Sequence, residues 1–132
     1  MPIDDLSEDA VRSALLHYQN LFARADIDGI LEDFDDNVRV RYASFAPFTG
    51  KRKLRALLQR RFATMRDYQL SKKLEFVSAP RIASSWQGCW IDTVTGCRME
   101  LYGLEVLTVT NGRFSEWSAS VSIWRSGELA SI

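Results

Sequence analysis

Asn111-Gly112 stands between two long runs rich in apolar and β-branched residues. Both residues tolerate positive φ, so this dipeptide between such runs is a strong hairpin signal. After about residue 66 no helical period survives. Four strands are expected, at about 69–79, 81–91, 97–110 and 113–125, divided by Pro80, an Asp92–Gly96 turn and Asn111-Gly112. The last one alternates cleanly: Trp117, Ala119, Val121 and Ile123 share one face, and Ser118, Ser120, Ser122 and Trp124 the other.

The first half reads differently. Ser7 suits an N-cap, with Glu8 and Asp9 in the first turn where the helix dipole favours acids. Val11, Ala14, Leu15, Tyr18, Leu21, Phe22 and Ala25 then recur at helical spacing. A short second helix is expected over Ile27–Phe34, a short strand over Val38–Tyr42, and a loop over Ser44–Gly50. Leu54, Leu57, Leu58, Phe62 and Met65 predict a third helix over Lys51–Arg66. Three N-terminal helices followed by a meander of long antiparallel strands is an α+β plan. A curved, mostly antiparallel sheet wrapped round an amphipathic helix makes a cone-shaped barrel. One domain over 1–132 accommodates the whole chain.

Of its residues 46% are hydrophobic and 11% aromatic, which excludes a disordered chain. The apolar runs are too short for a transmembrane helix. The acidic start, Met1-Pro2-Ile3-Asp4-Asp5, lacks the apolar core of a signal peptide, so a cytoplasmic protein is expected. Zero net charge hides an asymmetry: residues 1–37 hold ten acids and two bases, and residues 51–73 nine bases and one acid. Such runs are usually solvated faces. Aromatics are not interleaved with Lys51, Arg52, Lys53 and Arg55, so neither nucleic acid nor membrane is expected as a partner. Cys89 and Cys97 flank the Asp92–Gly96 turn, and symmetric pairing about Thr93 would set them opposite each other. In a reducing compartment they are expected as free thiols. His17 is the single histidine and there is no CxxC pair, so no metal and no cofactor are expected.

The pattern resembles the nuclear transport factor 2-like superfamily, closest to its ketosteroid isomerase and SnoaL-like polyketide cyclase branches, a cystatin-like α+β group. The resemblance is carried by Tyr18, by Ala25-Asp26-Ile27-Asp28-Gly29-Ile30, by Phe34-Asp35-Asp36-Asn37-Val38, by Gly50, and by Thr110 to Trp117. It implies a cone-shaped pocket and a homodimer, for which the Ser-rich face of the last strand is also suited. It also implies that Tyr18 stands where the isomerases keep an oxyanion-binding tyrosine. The isomerases' general base and second donor are aspartates; here those positions are Tyr42 and about Val106. The cyclases' acid near the end of the final strand is missing from Trp117-Ser118-Ala119-Ser120.

Without those acids, other inward ionisable groups become the candidates. Glu100 and Glu105 have opposite parity on the fifth strand, so a regular strand cannot turn both inward. The match of Val106 to an inward family position favours the Glu100 face; a bulge near Gly103 would favour Glu105. The expected catalytic set is Tyr18, Tyr42, Glu100 and Glu105. Phe22, Phe34, Phe62, Trp86, Trp90, Arg98, Tyr102 and Trp117 are expected to line a substrate cavity. A carboxyl in such surroundings suits acid–base chemistry. The expected function is binding of a small hydrophobic molecule, with isomerase, lyase (dehydration) or cyclase chemistry upon it; the alternative is a non-catalytic ligand-binding or dimerisation module.

Overall fold

The computed structural model describes residues 3–132, so Met1 and Pro2 of the expected domain lie outside the described residues. Helix α1 spans Glu8–Ala23, and the Ser7 side chain accepts from the Ala10 amide at its start. Its buried face is Val11, Ala14, Leu15, Tyr18 and Leu21, the apolar stripe of the sequence. Helix α2, Ile27–Leu31, is capped by Asp26, which accepts from the Gly29 amide. It stops before the expected Phe34. Asp33 is drawn under Tyr18, and Phe34 opens strand β1, Phe34–Tyr42, where it pairs with Phe114.

The expected loop before the third helix contains a two-residue strand, β2, Phe48–Thr49. Gly50 leads into helix α3 at φ 111, a conformation L side chains rarely adopt. Helix α3 ends at Phe62, earlier than expected. Met65 already belongs to β3, Met65–Ser78, where it pairs with Asp92. Strands β4, Arg81–Asp92, β5, Arg98–Thr110, and β6, Arg113–Arg125, complete the sheet.

The strand order is β2-β1-β6-β5-β4-β3, antiparallel throughout except that β1 runs parallel to β6. The sheet curves without closing, and helix α1 lies in its concavity against β3. Ile3, buried, donates its amide to the Gly112 carbonyl and so ties the N-terminus to the β5–β6 turn. No helix among the described residues is long and apolar enough to cross a membrane.

Burial settles the faces. On β5, Leu101, Gly103, Glu105 and Leu107 point into the cone, while Tyr102, Leu104 and Val106 are 42%, 50% and 40% exposed outside it. The β5 register is unbroken from Arg98 to Thr108, so no bulge is needed; the strand sits in the opposite phase from the one the Val106 match favoured. Glu100, Tyr102 and Arg98 therefore lie away from the interior, contrary to expectation. On β6 the alternation holds: Trp117 and Ala119 are buried and the serines between are exposed. Cys89 and Cys97 are not opposite each other. The Asp92 amide donates to the Cys97 carbonyl, so Cys97 faces Asp92 across the turn while Cys89 pairs with Glu100. Both thiols are free.

Candidate functional site

The in-facing rows of five elements meet inside the cone. On β3, Leu70, Lys72 and Leu74 share one parity, so Lys72 is carried inward with its leucine neighbours. It faces Glu105 of β5 and Ser84 of β4. The Lys72 ammonium donates to Glu105 Oε2 at 2.7 Å, and the Ser84 hydroxyl donates to the same oxygen. The Trp117 indole donates to Oε1 at 2.9 Å. The side chains of Lys72 and Glu105 are 6% and 2% exposed. Rings of Trp86 and Phe22 flank the ammonium at 4.8 and 5.6 Å, adding cation–π attraction where water is excluded. The carboxylate is thus held by three donors, as a buried charge requires.

A second polar pair lies nearby. The Tyr18 hydroxyl donates to Asp33 Oδ2 at 2.5 Å. Burial pushes the Tyr18 phenol well above its ordinary range, and the hydrogen bond and charge of Asp33 add to it. Its proton is committed to Asp33, so it is not directed at a guest as an oxyanion donor would be. The rings of Phe34 and Phe114 close the space round these groups, with Phe34 5.1 Å from Phe114 and 6.0 Å from Trp117. What remains empty between Tyr18, Phe34, Glu105, Phe114 and Trp117 is about 20 Å³. That is about the room of one water. The interior hollow expected for a guest is filled by the protein's own side chains.

Open space lies at the mouth, and a larger cavity of about 570 Å³ lies on the other side of the sheet edge, among Arg39, Arg41, Phe48, Arg81, Val106 and Glu116. A cavity of about 460 Å³ lies between the end of α3 and strands β3 to β6. Tyr42 and Trp90 form its inner part with Arg61. The Arg61 guanidinium lies over both rings, 5.8 Å from Tyr42 and 5.6 Å from Trp90. Tyr42 connects mouth to interior, because its ring is 5.1 Å from Trp117, whose indole holds Glu105. Burial pushes the Tyr42 phenol up, opposed by the Arg61 charge and reinforced by Glu105. Burial raises Tyr68 as well, again against Arg61. Two phenols kept neutral by burial, Tyr42 on the cavity wall and Tyr68 behind it, therefore lie near the Arg61 guanidinium. Such a group can hold and polarise a carbonyl or carboxylate oxygen.

Of the expected residues, Tyr18, Phe22, Phe34, Glu105 and Trp117 meet in the interior, and Tyr42 and Trp90 meet at the mouth. Trp86 covers Lys72, and Phe62 packs on Phe22 and Tyr68. Three are outside: Glu100 accepts from the Trp124 indole at 3.1 Å, Arg98 donates to Cys89 Sγ at 3.4 Å, and Tyr102 is solvent-exposed. Sequence reading missed Asp33, Arg61, Tyr68, Lys72 and Ser84. The parity of Leu70-Lys72-Leu74 was a usable signal for Lys72. Among the described residues no three His, Cys, Asp or Glu side chains converge as metal ligands would.

Comparison with known proteins places this geometry. A family profile described as a SnoaL-like domain matches residues 15–117. No curated protein sequence matches the chain. Among solved structures, SalBIII, an epoxide hydrolase/cyclase-like enzyme of pyran ring formation in the polyether salinomycin, superposes with a TM-score of 0.75 at 14% identity, covering 91% of this chain and all of its own. An LEH-like epoxide hydrolase of M. tuberculosis gives 0.63 at 18% identity, covering 83% of this chain and 80% of that one. A protein assigned as a polyketide cyclase from Xanthomonas campestris pv. campestris gives 0.72 at 17% identity, over 83% and 87%. At these identities the likeness is one of fold.

Proposed function

The chain belongs to the SnoaL-like domain family, and from that premise we propose that it binds a small, partly apolar organic molecule at the mouth of its cone. The ligand's oxygen meets Arg61 and Tyr42, and its body lies against the apolar part of the mouth. The observation that carries this reading is the Arg61 guanidinium laid over Tyr42 and Trp90 at a cavity of about 460 Å³. The cone interior, with about 20 Å³, has no space for such a molecule. The test is a thermal-shift screen of aromatic ketones, phenols and acids against the wild type and Arg61→Gln. Hits that raise the wild-type Tm and lose their effect in the variant support the reading. Hits unaffected by the variant overturn it.

A second reading is an acid–base enzyme performing isomerisation, dehydration or cyclisation without a cofactor. What favours it is Glu105, which faces the interior beside two proton carriers, Lys72 and Ser84. Tyr42 and Arg61 would polarise a carbonyl at the mouth; Glu105, 2% exposed and held by the Trp117 indole that packs on Tyr42, could take a proton from the α-carbon only if Trp117 turned aside to admit it. Incubation of screening hits that carry α-protons in D2O distinguishes the two readings. Exchange accelerated by wild type and lost in Glu105→Gln indicates catalysis; binding with background exchange indicates a binding module.

The partner on the outer sheet face is proposed to be a second copy of the chain. Tyr102, Leu104 and Val106 form an exposed apolar row along β5, with Glu100 beyond one end. Arg81 pairs with Thr108 at the other end. A two-fold axis near Leu104 would lay the apolar row of one copy against that of the next. Light scattering should give a dimer at micromolar concentration that Leu104→Glu dissociates; a wild-type monomer contradicts this.

A further inference from the structure

Beside Arg61, the basic run of α3 brings a second arginine, Arg60, to the mouth cavity. Arg60 lies over the Phe45 ring at 5.1 Å, and Arg61 over Tyr42 and Trp90. Among the described residues neither forms an ion pair with a carboxylate. Asp92 is also on the cavity wall, but its Oδ1 already accepts from the Val94 and Thr95 amides at 2.8 and 3.0 Å. The sheet side is apolar, built from Met65, Met99 and Val121. The cavity is therefore divided into a cationic half with aromatic backing and a thioether and aliphatic half.

Arg61 shares a hydrogen bond with the Tyr42 hydroxyl, and the other N–H groups of its fork are left as a donor edge. That edge matches a planar, two-oxygen acceptor lying in the same plane. The thioether and aliphatic half suits a flat apolar surface. Resting on the mouth-site reading above, we propose that the ligand is a planar aromatic or conjugated carboxylate. Its carboxylate is taken edge-on by Arg61, with Arg60 beside it, and its ring system lies against Met65, Met99 and Val121. A neutral ketone of the same shape would fill the apolar half and leave the guanidinium edges without a charged partner.

The chain has three methionines, so ε-¹³C-methionine labelling gives three methyl signals, two from the cavity and one, Met1, from outside the matched domain. The probes are benzoate, naphthalene-2-carboxylate and anthracene-2-carboxylate, each set against its carboxamide. At least one carboxylate should shift the Met65 and Met99 signals and leave Met1 unmoved. It should bind about tenfold or more tighter than its amide, as one charge-assisted pair implies. Arg61→Gln should abolish that preference, and Arg61→Lys, which keeps the charge without the fork, should reduce it. The wild-type comparison of acid with amide decides the matter even where a variant folds poorly. Equal binding of acid and amide at the same signals overturns the carboxylate assignment and leaves the mouth site standing. No shift of Met65 or Met99 with any probe overturns both.

Discussion

Replacing Lys72 by methionine retains most of its aliphatic volume and its contact with Trp86, and removes only the ammonium. What is left is a Glu105 carboxylate, 2% exposed, with Ser84 and Trp117 still donating but without its counterion. Breaking a buried pair in this way costs about 3–5 kcal/mol, because the remaining charge is uncompensated in a low dielectric. Unfolding a 132-residue chain gains roughly 0.28 kcal/mol per kelvin, so Tm should fall by about 11–18 °C. Glu105→Gln should cost a similar amount, since it strands the ammonium between two rings. The double variant Lys72→Met/Glu105→Gln carries no buried charge, and its amide can still accept from Trp117 and bond Ser84. It should lie within about 2 kcal/mol of wild type, giving a coupling energy of several kcal/mol. Urea unfolding at pH 7, followed by tryptophan fluorescence, measures all four corners of the cycle. A loss below about 1 kcal/mol for Lys72→Met, or single effects that simply add, would refute the claim that the two side chains stabilise each other as buried charges.

Tyr18→Phe removes the 2.5 Å hydrogen bond to Asp33 and should destabilise the fold by about 1–3 kcal/mol in the same assay. Gly103→Ala would place a Cβ 2.5 Å from the Trp86 ring, so the indole must shift off Lys72; a loss of about 1–3 kcal/mol and an altered near-ultraviolet circular dichroism spectrum are expected. Tyr18, Tyr42 and Tyr68 are all raised above the ordinary 10.0, so folding favours their neutral forms. Their contribution is full below about pH 10 and declines as pH rises above it, where the unfolded chain ionises first. Each such group adds at most about 1.4 kcal/mol per pH unit to the slope, and a flat stability profile between pH 10 and 11 would contradict the burial of these phenols.

The sequence marked some elements well and others badly, for identifiable reasons. The stripe of α1 and the alternation of β6 were legible because each buries one face and wets the other. Strand β5 was not, because both faces carry apolar side chains: Leu101 and Leu107 inside, Tyr102, Leu104 and Val106 outside. Hydrophobic period alone cannot phase such a strand. Gly103 held the clue, since a glycine amid large residues marks close approach, here by Trp86. Lys72 was passed over as one charge among the nine basic residues of 51–73, although its leucine neighbours share its parity. Asp33 was hidden by extending α2 to Phe34. Arg61 could not be picked out of the basic helix, because only the tertiary arrangement selects which of its cations overlies Tyr42 and Trp90. Nor could composition tell a hollow cone from a filled one. The same aromatic rings serve either, and only their packing round Glu105 leaves the interior closed.

The most direct measurement is a crystal structure of the protein with its tightest-binding aromatic ligand. The account predicts that the ligand lies at the mouth between Arg61 and Met99, with the Lys72–Glu105 contact kept near 2.7 Å. A ligand found instead among Tyr18, Phe34 and Phe114, with that ion pair driven apart, would contradict it.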